Sequence, residues 1–190
     1  MKLLEEYQRI SRDHSKALKV TSARVVLGSS VMRVFEPGTK EDLSPCLVAV
    51  DVEKMPKLGG QEQFRSWFER NLDRVANAIN RRNARNRRIY PGYKWGHATK
   101  VLTLYLREIV HNRRYFSDAD VERISPWLYT PIDSIAIKRL RHLGCPLPFK
   151  AIKEIDTTEK FYDVQELLGE AAAKVGVPRV WFDDNWGDRQ

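Results

Sequence analysis

The sequence predicts a mainly α fold: a compact helical domain with a helix-loop-helix core and room for a small β element within residues 24–52. Three observations predict it. Apolar residues recur at spacings of three and four through the second half of the chain. Helix start and stop residues punctuate that half: Ser117, Thr130-Pro131 and Thr157 or Thr158 as starts, Gly144 and Gly176 as ends. Strand-like composition is confined to residues 24–52. With 190 residues, 42% hydrophobic and 10% aromatic, the chain suits one domain with a real apolar core. A disordered tail or a collagen-like chain is excluded. Within the domain we read residues 1–60 as a less regular α/β part, 61–176 as the helical core, and 177–190 as an aromatic and acidic tail packed on that core.

Residues 3–18 read as a helix with Leu3, Leu4, Tyr7, Ile10 and Leu18 on one side. Residues 24–35 and 46–52 hold valine-rich runs around Gly28-Ser29-Ser30, which fit short strands or a broken helix. Pro37-Gly38, Pro45, Pro56 and Gly59-Gly60 mark turns. From Gln61, the residues Phe64, Trp67, Phe68, Leu72, Val75 and Ile79 form one apolar stripe, with Arg65, Arg70 and Arg74 on the other face. That helix reaches the middle eighties, where Ile89-Tyr90-Pro91-Gly92-Tyr93 breaks it. A second helix spans about 96–112, and a short one follows Ser117. Another opens at Thr130-Pro131-Ile132-Asp133 and runs to His142, and the last runs from Thr157 or Thr158 to Gly176.

Charge is unevenly placed. The formal net charge is +8, yet residues 74–114 hold eleven Lys/Arg against the single acid Glu108, a net of +10. The other residues hold 22 bases and 24 acids, a net of −2. The basicity therefore reads as one block. Concentrated arginine favours a polyanion, because the guanidinium fork matches phosphate geometry. No apolar run approaches the ~20 residues of a membrane helix. The start, Met1-Lys2-Leu3-Leu4-Glu5-Glu6, lacks the long apolar stretch of a secretory signal. Cys46 and Cys145 form no CxxC pair, so neither a zinc site nor a disulfide framework is expected. A cytoplasmic monomer, nucleoid-associated if it binds DNA, is the expectation.

Within the block, Arg81, Arg82, Arg85, Arg87 and Arg88 fall in eight residues, followed by Tyr90, Tyr93, Lys94, Trp95, His97 and Lys100. Cations beside aromatics supply phosphate neutralisation and base stacking, the two needs of a nucleic-acid interface. Packing at a loop–helix junction explains the aromatics equally well. Arg107 joins the basic set from one side of the second helix.

Lys100 and Asp133 have a chemical reading. At about 100° per residue, Lys100 shares its helix side with His97, Arg107 and His111, while Leu102 and Ile109 face the core. An ordinary exposed lysine satisfies this. So does a nucleophile, since neighbouring cations disfavour an ammonium and a neutral amine can attack a sugar anomeric carbon to form a Schiff base. Asp133 reads as a helix-start acid, with Thr130 as N-cap, Pro131 at N1 and Asp133 at N3. That also holds a carboxylate rigidly, as a catalytic acid needs.

Gly96-His97-Ala98-Thr99-Lys100-Val101-Leu102-Thr103-Leu104, followed by Pro131-Ile132-Asp133-Ser134-Ile135-Ala136, resembles the core of the helix-hairpin-helix DNA glycosylase superfamily, nearest its archaeal-type 8-oxoguanine glycosylase/lyase group. The resemblance covers about residues 90–145 and a piece of the tail. It implies Lys100 as nucleophile and Asp133 as the group that moves protons and stabilises the sugar cation. It also implies a base pocket from Trp181, Asp183 and Trp186, to which Trp95 is a further aromatic candidate. No Gly-x-Gly hairpin follows Pro91-Gly92, and the chain is short for that superfamily. The same segments are also similar to uncharacterised bacterial helical proteins.

The expected function is thus nucleic-acid binding, DNA rather than RNA, and most specifically base-excision glycosylase/lyase chemistry without cofactor or metal. The alternatives are a non-catalytic helical DNA/RNA-binding protein and a metal-dependent nuclease using Asp183 and Asp184.

Overall fold

The computed structural model describes residues 2–85, 95–112 and 115–183, and nearly all regular structure in them is helical. α1 (Lys2–Gly28) is followed by a 3-10 turn at Ser30–Val34, α2 (Thr39–Val48) and a second turn at Val52–Lys57. α3 (Gln61–Arg85), α4 (Trp95–Arg107), α5 (Asp118–Ile124), α6 (Ser134–His142) and α7 (Thr158–Val175) complete the order, with a π turn at Glu108–Asn112 after α4.

Residues 24–52 contain no strand among the described residues, which settles the alternative left open there. The valine-rich run continues α1, whose Ala23, Val26 and Leu27 are buried at helical spacing. In α2, Leu43 and Leu47 are buried four apart. A half-buried strand alternates its apolar residues with period two, whereas these buried positions follow the helical spacing.

The first half of α1 stands away from the core. Leu3, Leu4, Tyr7 and Ile10 lie on one side as expected, but all four are exposed. The second half of α1 is tied to its neighbours where Lys19 Nζ meets the Glu53 carboxylate at 2.8 Å and the Tyr115 hydroxyl donates to the same group. Burial works against the charge on Glu53, but the hydrogen bonds from Lys19 and Tyr115 prevail and hold its carboxyl below the usual range. A lowered carboxylate contributes stability above its unfolded pKa and loses it as pH falls through the lower folded value. Glu53→Gln should therefore flatten the acid limb of the thermal stability profile below about pH 4 to 5. An acid limb identical to the wild type would show that this ion pair adds nothing to stability.

The α3 stripe is buried as the spacing predicts, and Phe64, Phe68, Leu72, Val75 and Ile79 are at most 1% exposed. It meets α7 through an aromatic cluster. Phe68 stacks on Phe161 with centroids 5.9 Å apart, and Tyr129 packs edge-on against both. One apolar cluster extends from Ala23 to Val180. The predicted caps hold for α5 and α7: Ser117 and Thr157 accept from the amides of Asp120 and Lys160, and Gly176 closes α7 at φ +72°.

The start of α6 is held from a distance. Gln165 in α7 accepts from the Thr130 amide and donates to the Thr130 carbonyl, both at 2.8 Å, and the Thr130 hydroxyl donates to the Arg179 carbonyl. Arg179 in turn donates to the carbonyls of Leu128 and Gln165 at 3.1 Å and lies over the Tyr129 ring. The tail is thus docked through Arg179 and the fully buried Val180.

Candidate functional site

Lys100 sits in the second turn of α4, and its depth is set by Gly96. A Cβ on Gly96 would meet the carbonyl oxygen of Ile152 at 2.3 Å and that of Ile155 at 2.9 Å. Only glycine lets α4 approach the 152–155 turn this closely. One turn later Lys100 Nζ reaches Asp133 Oδ2 at 3.2 Å, with the two side chains 16% and 10% exposed. These residues are 33 apart in sequence, and the fold brings them into contact.

Asp133 is the N-cap of α6, which corrects the expectation that Thr130 caps and Asp133 stands at N3. Asp133 has extended backbone, and its Oδ1 accepts from the amides of Ile135 and Ala136 at 2.9 and 2.8 Å. Thr130 cannot serve as the cap because Gln165 and Arg179 occupy its polar groups. The carboxylate therefore divides its work. Oδ1 serves the helix, whose positive end favours a negative charge. Oδ2 serves Lys100. The group that meets the amine is a carboxylate, not one of the cations on the α4 wheel. A proton on Nζ has an acceptor in direct hydrogen-bond reach, as proton transfer requires.

The other expected site residues are distributed differently. Trp95 is 7% exposed and packs edge-on against Phe161 at 5.6 Å. It belongs to the aromatic core, which corrects its assignment to a base pocket, since stacking needs an open face. His97 is 6% exposed with its ring against Phe35, so it is a core residue rather than a phosphate contact. Arg107 is half-buried in the last turn of α4. Arg81 is exposed, donates to the Asn77 carbonyl and borders a small pocket with Glu41 and Asp42 of α2. Trp181 is 50% exposed and lines a groove of about 700 Å³ with Leu140, Leu143, Leu168, Val175 and Phe182. The lining of that groove includes neither Lys100 nor Asp133. The side chains of Arg82, Arg85 and Asp183, and the whole of Arg87, Arg88, Lys94, Asp184 and Trp186, lie outside the described residues.

No three His, Cys, Asp or Glu residues cluster as a metal site among the described residues, and no helix there is long and apolar enough to cross a membrane. Cys46 and Cys145 are both free thiols.

Sequence reasoning missed one surface. Residues 134–153 carry five Lys/Arg and no acid, a local excess hidden inside the −2 net charge outside the main block. Counting acids in a sliding window, rather than over the whole of the rest of the chain, reveals it.

Comparison with protein-family models, with curated proteins and with solved structures returned no match.

Proposed function

We propose that this protein binds nucleic acid through the arginine-rich 81–100 region and acts at Lys100 as a DNA base-excision glycosylase/lyase. The observation that supports the reading is the contact between Lys100 Nζ and Asp133 Oδ2, in a part-buried setting and on two helices with separate anchors. Its chemistry needs few groups. Asp133 takes a proton from Lys100, and the neutral amine attacks C1′ of the damaged nucleotide. The C1′–N bond breaks, and the base leaves with the bonding pair and a proton. The departing base takes the proton that Asp133 received from Lys100, and ring opening moves a second proton from the attached nitrogen to O4′, which leaves a protonated Schiff base between C1′ and Nζ and an ionised Asp133. The carboxylate also stabilises positive charge developing on the sugar. Extrusion of the nucleotide from the stack precedes these steps.

A second reading has its own observation. Asp133 Oδ1 is fully engaged by two amides, so Lys100 and Asp133 also suit a structural link between α4 and α6 in a non-catalytic binding protein. The two readings differ in covalent chemistry. Borohydride added to protein incubated with lesion-bearing oligonucleotides reduces a Schiff base to a stable amine. The enzyme reading expects a protein–DNA adduct that disappears in Lys100→Ala. The binding reading expects DNA retention with no adduct and no base release.

A further inference from the structure

Helix α6 buries one side and shows the other. Ala136, Ile137 and Leu140 are buried, while Ile135, Lys138, Arg139 and His142 fall within about 100° of one another on the opposite side. Among the described residues, none of these three basic side chains meets a carboxylate. Arg139 lies over the Phe182 ring with its guanidinium carbon 5.2 Å from the centroid. Cations in a last turn suit the negative end of the helix dipole, which accounts for Arg139, Arg141 and His142. It does not account for the absence of any acid through residues 134–153, nor for Ile135. Ile135 is 46% exposed in the first turn, with its amide bonded to Asp133. An apolar side chain on show is ordinary when alone. Here it adjoins Asp133, whose other carboxylate oxygen meets Lys100, at the head of a basic strip about 10 Å long from residue 135 to residue 142.

We propose that the outward face of α6 is a second DNA-contacting surface: Lys138 and Arg139 hold backbone phosphates that lead to the Lys100–Asp133 pair, and Ile135 packs against the base beside it. The proposal rests on the nucleic-acid reading above and extends it to an element outside the arginine block. Phosphate contacts give salt-dependent affinity without sequence preference. An apolar side chain near an unstacked step supplies an attraction that salt does not screen. The two kinds of residue should therefore separate in one titration.

The experiment measures binding of fluorescein-labelled DNA, single-stranded and duplex, across a range of salt concentrations. Lys138→Gln/Arg139→Gln should bind at least about tenfold more weakly near 0.1 M salt. Its log–log salt slope on duplex should be shallower by about 1.8, at about 0.9 for each phosphate no longer neutralised. Lys138→Glu alone leaves Arg139 seated on Phe182 and should show the same trend, which guards against loss of folding in the double variant. Ile135→Ala should weaken binding with the slope unchanged. A wild-type slope in both charge variants overturns the α6 surface while leaving the arginine block in place. Wild-type affinity in Ile135→Ala overturns the apolar contact. Failure of the wild-type protein to bind either DNA overturns the nucleic-acid reading and this inference with it.

Discussion

Arg179→Met is expected to destabilise the fold by about 3–5 kcal/mol, a loss of about 6–20 °C in Tm for a chain of this size. Methionine keeps much of the aliphatic volume, so the cost isolates the guanidinium. In the native protein that group donates to the Leu128 and Gln165 carbonyls at 3.1 Å and comes within 3.4 Å of the Trp127 carbonyl. Burial pushes Arg179 below its ordinary pKa, and no carboxylate is among its hydrogen-bond partners. This half-buried cation is held by the carbonyl oxygens that converge on it and by the Tyr129 ring beneath it. Its removal costs the Leu128 and Gln165 carbonyls the guanidinium contact and loosens the segment whose carbonyl receives the Thr130 hydroxyl, while the Trp127 carbonyl keeps Gln61. Thermal unfolding by circular dichroism checks this. A shift of only a degree or two would show that the tail docks without Arg179.

Gly96→Ala has an expected sign opposite to helix propensity. Glycine-to-alanine inside a helix ordinarily stabilises by about 1 kcal/mol. At Gly96 the new methyl would overlap the Ile152 carbonyl oxygen at 2.3 Å, and a backbone carbonyl cannot swing aside as a side-chain end can. We expect a net loss of about 2–4 kcal/mol. Relief of the clash requires α4 to move off the 152–155 turn, which carries Lys100 away from Asp133. A folded Gly96→Ala protein should therefore also lose any activity that depends on that pair. Unchanged or raised stability would contradict the close approach.

Much of the fold was legible because it obeys local rules. The Phe64-to-Ile79 stripe, the Ser117 and Thr157 caps and the Gly176 terminator depend on residues within a few positions of one another. Lys100 and Asp133 were legible as members of two chemically compatible segments, but their geometry was not. Thr130-Pro131-Ile132-Asp133 satisfies two cap registers, and the choice is made by Gln165 and Arg179, which lie 35 and 49 residues from Thr130. The same distance effect misplaced Trp95 and His97. Aromatic and imidazole rings beside cations read as a surface, but Phe161 and Phe35 draw these two into the core. The valine-rich segment near residue 26 carried high strand propensity, which burial of one helical side overrides.

Everything specific in the proposed chemistry turns on one pair. Lys100 and Asp133 are close enough to exchange a proton, and a lysine that does so beside a nucleic-acid surface can form an imine with a sugar. Borohydride trapping on a panel of lesion-bearing DNA duplexes reads that imine directly. We predict a covalent protein–DNA adduct with the wild-type protein and none with Lys100→Ala. Asp133→Asn, which retains a capping oxygen but not the charge, should give a strongly reduced yield. Wild-type protein that binds DNA yet gives neither an adduct nor base release on any lesion would contradict the glycosylase/lyase reading, and would leave Lys100 and Asp133 as a structural tie between α4 and α6.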